Sequence, residues 1–227
     1  MNDSCDFTAR YTPADFDGIV FDLDGVLTDT WRLYLESYRK VFAEILNRDL
    51  TVDELVEKAR TTETGTLSAA LPPDLVPAGL AGFKQWYVRL FDELATPFAK
   101  AVRAVRKARE MEKHVGIFTG KTRHTARFTI DRLGVADVVE SLASEDDYVE
   151  PKPHHGGLML VLAELDLAPE RTLYIGDQKN DLIAGRRAGV VTAGATWAEY
   201  TTIEAVRDKP DILFPSPASC LDFFNGS

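Results

Sequence analysis

The 227-residue chain is predicted to be an α/β protein: a Rossmann-like parallel sheet with helices on both faces, plus an inserted all-helical cap. Three observations predict this. Short apolar runs rich in β-branched and aromatic residues alternate with amphipathic helical patterns, the signature of parallel βαβ units. The runs are continuous rather than alternating, as strands covered on both faces are. After the first run, one long stretch reads as helix only.

Taken in order, the first strand is Gly-Ile-Val-Phe-Asp at 18–22. Runs of the same kind follow at 114–118, 138–139, 172–175, 190–192 and 212–214. Each meets a polar or glycine-bearing turn, such as Thr119-Gly120 or Gly176-Asp177. Their brevity and β-branching favour strand over buried helix. Between them, 97–112 places Phe98, Val102 and Val105 on one stripe, with Lys100, Arg103, Arg106 and Lys107 elsewhere. Segments 122–133, 157–165 and 179–188 read the same way, and Gly189 suits a helix C-terminus. The helical stretch comprises 31–46, 52–59 and 80–94, interrupted by Pro72-Pro73 and Pro77. The expected division is an α/β catalytic core of 1–29 and 96–227 around a cap of 30–95. Ligands of open α/β sheets bind beyond the carboxyl ends of the strands, where a cap rooted after the first strand would cover them.

Composition bounds the function. A hydrophobic fraction of 45% with 27% charged residues is ordinary for a globular chain that buries a full core. With 26 basic against 36 acidic residues the formal charge is −10, which argues against nucleic acid and against an anionic membrane surface. A small anionic substrate stays open, because the field inside one site can oppose the net charge. The two cysteines, Cys5 and Cys220, form neither a disulfide framework nor a metal cluster. The polar, acidic segment 1–17 lacks the apolar centre of a secretory signal, and no apolar run approaches membrane-spanning length. The expectation is a cytoplasmic protein, monomeric or homodimeric.

The chemistry lies at the strand ends. The first strand runs into Asp22-Leu-Asp24-Gly25, the second ends in Thr119-Gly120-Lys121, a later loop carries Lys152 between prolines, and another strand ends in Gly176-Asp177 with Asp181 four residues on. Each feature alone has an ordinary explanation as a turn, a helix cap or a solvated charge. Gathered at one rim, however, four carboxylates repel unless a cation neutralises them. Mg²⁺ suits a site of a few carboxylates plus waters, and metal with lysine favours a phosphate. A remaining carboxylate could then act as nucleophile.

Together these motifs resemble the haloacid-dehalogenase-like hydrolases. Phe21-Asp-Leu-Asp-Gly-Val-Leu-Thr-Asp29 is similar to the first motif of that superfamily, Thr119-Gly120 to the second, Lys152-Pro153 to the third and Gly176-Asp-Gln-Lys-Asn-Asp181 to the fourth. A helical insertion between the first two motifs resembles its first cap type, within the phosphoglycolate phosphatase, pyrophosphatase and β-phosphoglucomutase group. The resemblance implies a Mg²⁺-dependent phosphatase of a small phosphorylated metabolite, working through an aspartyl-phosphate. Asp22 would be nucleophile and metal ligand. Asp24 would be general acid and then base, its backbone carbonyl on the metal. Thr119 and the Gly120 amide would hold phosphoryl oxygens, Lys152 would neutralise Asp22 and the phosphoryl group, and Asp177 and Asp181 would serve the metal. Arg60, in Arg-Thr-Thr-Glu-Thr-Gly at 60–65, resembles a substrate-loop arginine and could grip the far end of the substrate. His154-His155 replace a more usual proline pattern and are read as residues at a helix start, since Mg²⁺ prefers oxygen. Lys121 and Lys179 could attract the anion or simply be solvated. Trp31, Trp86, Tyr87 and Phe91 are read as cap core. A sugar-phosphate mutase with the same nucleophile, and a non-catalytic phosphometabolite-binding module, are the alternatives; product analysis and the presence of turnover separate them.

Overall fold

A computed structural model describes residues 11–204 and 208–226. The amino-terminal stretch carrying Cys5 lies outside the described residues. Six strands form one sheet: β1 (Gly18–Phe21), β4 (His114–Phe118), β5 (Ser141–Ala143), β6 (Thr172–Gly176), β7 (Val191–Ala195) and β8 (Ile212–Phe214), in the order β5-β4-β1-β6-β7-β8. Every pairing in it is parallel. β1 is central, in register with β4 on one side and β6 on the other (Phe21 opposite Ile117 and Ile175).

The period-two geometry of a strand sends neighbouring side chains to opposite faces. Ile19 and Phe21 therefore join one buried cluster, with Ala101, Ala104, Val105 and Ala108 of α5 (Ala99–Glu110), Ala126 and Ile130 of α6 (Arg123–Arg132), and Leu221 and Phe224 of α9 (Pro217–Asn225). Val20, Phe118 and Tyr174 join the other cluster, with Leu158, Val161 and Leu162 of α7 (Gly156–Glu164) and Ala184 and Ala188 of α8 (Lys179–Ala188). Spacing of 3, 4 and 7 residues along α5 keeps small apolar groups on one stripe, so this helix lies close on the sheet.

Between β1 and β4 the chain makes the helical insertion: α1 (Trp31–Leu46), α2 (Val52–Lys58), α3 (Glu63–Ser68) and α4 (Val76–Leu94). It has its own core of Leu33, Tyr38, Val41, Phe42, Phe83, Tyr87 and Phe91. Tyr38 stacks on Phe83 with ring centroids 4.4 Å apart. The insertion leaves and rejoins the sheet domain through a two-stranded antiparallel ribbon of β2 (Thr28–Asp29) and β3 (Thr96–Pro97). Among the described residues no helix is long and apolar enough to cross a membrane.

Two expectations need correction. The strand placed at 138–139 lies further on, at Ser141–Ala143, paired with Gly116–Phe118. The amides of Val138 and Val139 both donate to the Val135 carbonyl (3.1 and 3.2 Å), so this β-branched pair closes a turn. The helix placed at 97–112 begins at Ala99 because Thr96 and Pro97 belong to the ribbon.

Candidate active site

Asp22, Thr119 and Asp177 are each the first residue beyond a neighbouring strand of the sheet centre. The chain leaves β1 toward β4 on one side and returns by β6 on the other, so this is the switch point where the strand ends open a crevice. The Asp22 amide still donates to the Ile175 carbonyl (2.9 Å), which carries the ladder one residue past β1 and fixes the nucleophile candidate beside Asp177. At Gly25 (φ 77°) the chain bends back. A Cβ there would stand 2.2 Å from Asp177 Oδ2, so both the left-handed backbone and the missing side chain are required.

Lys152 arrives from the loop before α7. Its Nζ lies 3.1 Å from Asp22 Oδ1 and 2.8 Å from Asp181 Oδ1, and it donates to the Phe118 carbonyl (3.0 Å). Asp181, in the first turn of α8, accepts from Tyr174 OH (2.8 Å) and from the Gln178 amide (2.9 Å). Asp177 Oδ2 accepts from Gln178 Nε2 (2.5 Å). The carboxylates of Asp22, Asp177 and Asp181 each offer an oxygen, all within 4.8 Å of one another, and all three residues are buried. Asp22 Oδ1 and Asp177 Oδ1 are buried without a hydrogen bond, although the first faces the lysine as an ion pair.

Crowding has an electrostatic consequence. Burial pushes the Asp22 carboxyl up to about 7, with Asp181 and Asp24 adding repulsion and Lys152 opposing both. Burial, then the carboxylates of Asp181 and Asp22, hold Asp177 well above the usual range. For Lys152, burial alone would lower the ammonium, but Asp181 and Asp22 outweigh it and the net shift is upward. Three acids with one lysine remain short of positive charge, and the buried Asp177 Oδ1 has no donor among the described residues. This donor set fits a hard, oxygen-seeking divalent cation.

Asp24 stands outside that trio. Thr30 Oγ1 donates to its Oδ1 (2.7 Å), Tyr34 OH donates to its Oδ2 (3.1 Å), and Lys121 Nζ lies 3.4 Å from both oxygens. Lys121 is fully buried, which settles its place: it faces Asp24 rather than solvent. Its Nζ donates to Tyr34 OH (2.8 Å) and Tyr87 OH (2.9 Å) and lies 3.4 Å from Glu63 Oε1. Burial and then the nearby carboxylates of Asp24 and Glu63 push the Tyr34 phenol well up, so it stays a proton donor.

A cavity of about 620 Å³ joins these groups under the insertion. Asp22, Asp24, Thr119, Gly120, Lys152, Asp177 and Asp181 line its floor, and Tyr34, Thr61, Thr62 and Thr66 line its roof. The roof sits close: a Cβ on Gly120 would stand 1.8 Å from the Thr61 carbonyl oxygen. Arg60 also borders the cavity, but its Nη1 donates to the carbonyls of Glu57 (3.0 Å) and Ala59 (2.9 Å), which turns the guanidinium back on the end of α2. Trp31 departs from the expected cap core. It borders the cavity and stacks on Tyr200, a residue after β7, at 5.4 Å between centroids. Tyr87 and Phe91 are buried in the insertion as expected. His155 is the residue before α7, and His154 pairs with Glu150 away from the carboxylates. Tyr34 and Tyr200 carry no motif that would single them out, and Glu63 lies in the 60–65 segment that was read for its arginine; the signal available was that this segment and the helix of Tyr34 belong to the insertion over the crevice.

A parallel α/β sheet with a lysine-braced carboxylate trio at its switch point, roofed by a helical insertion, defines a capped α/β hydrolase. The family model described as haloacid dehalogenase-like hydrolase matches residues 19–195. The chain belongs to that family. It is 27% identical over 195 residues to Pyrophosphatase PpaX of Oceanobacillus iheyensis, covering 86% of this chain and 90% of that protein. Its fold is similar to a predicted phosphoglycolate phosphatase from Haemophilus somnus (TM-score 0.79, 19% identity, 92% of this chain and 97% of that one). It is equally similar to CbbY from Rhodobacter sphaeroides, solved in complex with phosphate (TM-score 0.79, 20% identity, 91% and 99%).

Proposed function

We propose that the chain is a Mg²⁺-dependent phosphatase of small phosphorylated metabolites, working in the cytoplasm through a phosphorylated Asp22. The observation that carries this reading is the meeting of Asp22, Asp24, Thr119, Lys152, Asp177 and Asp181, scattered through the sequence, around one roofed cavity. Membership of a hydrolase family and relatives named for pyrophosphate and phosphoglycolate support the phosphoryl chemistry.

In this reading Asp22 Oδ attacks phosphorus while the bond to the leaving oxygen breaks. Asp24 gives that oxygen its proton, typically worth about 10²- to 10⁴-fold for a poor leaving group. Thr119 Oγ1 and the Gly120 amide donate to the phosphoryl oxygens, over which the transition-state charge spreads. Lys152 holds the same oxygens and balances Asp22. Water then attacks phosphorus, Asp24 takes its proton, and the Asp22 carboxylate and free phosphate are released. Asp22, Asp177 and Asp181, with the Asp24 carbonyl, would hold Mg²⁺, which supplies charge neutralisation and alignment. Arg60 would meet the far end of the substrate after leaving the Glu57 and Ala59 carbonyls. The roof excludes water from the reacting groups.

The test is phosphate release from an aryl phosphate and from a panel of phosphorylated metabolites, with Mg²⁺ and with chelator. Mg²⁺-dependent free phosphate that vanishes in Asp22→Asn is the expected result. Transfer to another substrate hydroxyl without free phosphate would replace hydrolysis by mutase chemistry.

A further inference from the structure

The buried ion pair between Lys121 of the sheet domain and Glu63 of the insertion has no part in the chemistry above. Both are essentially inaccessible, at 0% and 1% exposure. Glu63 begins α3, and its carboxylate is drawn onto the start of α6: Oε2 accepts from the Thr122 amide (3.0 Å), and both oxygens accept from Thr125 Oγ1 (2.8 and 2.7 Å). Tyr34 OH stands between the two carboxylates, 2.9 Å from Glu63 Oε1 and 3.1 Å from Asp24 Oδ2, and accepts from Lys121. Tyr87 of α4 closes the ring of contacts: its OH accepts from Lys121 and shares a 2.9 Å hydrogen bond with Thr129 Oγ1 of α6.

Asp24 thus has two of its three polar contacts, Tyr34 and Lys121, in common with Glu63. Should the insertion lift away from the sheet domain, Glu63, Tyr34 and Tyr87 leave together, and Lys121 is left beside Asp24 as its sole buried counter-charge. We propose that Lys121 and Glu63 are positioning residues: the pair docks the insertion and, through Tyr34, orients Asp24 toward the leaving oxygen only in the docked state. Lys121 is therefore not a site for the substrate anion. The inference rests on the reading of Asp24 as the acid.

The dependence of kcat/KM on leaving group tests it. That ratio reports steps up to departure of the alcohol, and an activated aryl leaving group needs little proton donation whereas an alkyl one needs much. Three variants are compared: Tyr34→Phe, Glu63→Gln, and the double replacement Lys121→Met with Glu63→Met, which removes both charges of the pair together. Folding is checked by circular dichroism. In each, kcat/KM for an alkyl phosphate of the panel should fall at least about tenfold more than for p-nitrophenyl phosphate, a part of what full loss of the acid forfeits. Asp24→Asn is the reference and should show the same discrimination more strongly. If Asp24→Asn discriminates and all three folded variants lose both substrates equally, the positioning role is overturned while the phosphatase reading stands. Absence of discrimination in Asp24→Asn itself would remove the acid assignment and this inference with it.

Discussion

At the scale of single residues, the site is a problem in charge compensation. Lys152 is the one cation touching Asp22 and Asp181 among the described residues, and its removal leaves two desolvated carboxylates facing each other. Breaking such a buried pair costs about 3–5 kcal/mol, so Lys152→Met should lower the metal-free melting temperature sharply in calorimetry and abolish turnover. Asp22 makes a second prediction. Its folded-state carboxyl is raised to about 7 from an ordinary 3.8, chiefly by burial. The folded protein therefore holds this proton more tightly than the unfolded chain, and the associated stability is present below about pH 4 and lost as pH rises through about 7. In chelator, the stability of Asp22→Asn relative to the natural protein should increase across that window and level off above it. A difference independent of pH would contradict the assigned crowding. Much of this was legible in sequence, because acids at the ends of several apolar runs, with a lysine in a later loop, point to one shared rim only when taken together. The partners of Lys121 were not, since a buried ion pair between residues 63 and 121 leaves no local pattern.

At the scale of elements, pattern reading succeeded where burial repeats with the period of the element. The α5 stripe and the continuous apolar strands β1, β4 and β6 are of this kind. It failed at β5, where Val138 and Val139 have the composition of a strand while their amides are spent on a turn, and Ser141–Ala143 is short and partly polar. It also missed α3, whose six residues give too little length for a periodic signal and whose start is capped by Thr62 accepting from the Gly65 amide. The insertion yields two further expectations. Phe83, fully buried between Tyr34, Tyr38 and Tyr87, should cost about 3–5 kcal/mol as Phe83→Ala, measured by denaturant unfolding. Gly120→Ala places a methyl group against the Thr61 carbonyl, a backbone clash that should unseat the roof. Because misplacement near 1 Å can cost about 10²-fold, kcat/KM should drop by roughly ten- to a hundredfold. An unchanged kcat/KM would show that the roof seats elsewhere.

At the scale of the whole molecule, a chain of charge −10 places the buried ammonium of Lys152 among the carboxylates of one cavity, where the local field can oppose the net charge. Asp22, Asp177 and Asp181 could hold a metal ion, so on the proposed reading Mg²⁺ at a hundredfold excess over its Kd should stabilise the fold by about 2.7 kcal/mol, read as a rise in melting temperature, and Asp177→Asn should abolish the shift. In the proposed function the two halves divide the work: the sheet would fix the reacting groups at its switch point, under the roof that the insertion forms. The claim on which this division depends is that Asp22 carries the phosphoryl group. Acid quench during turnover, borohydride reduction and peptide mass spectrometry read it directly, because reduction of an acyl phosphate leaves homoserine in place of aspartate. Homoserine at position 22, dependent on both substrate and Mg²⁺, is the predicted result; an intact Asp22 at full turnover, or the label on another residue, would contradict the account.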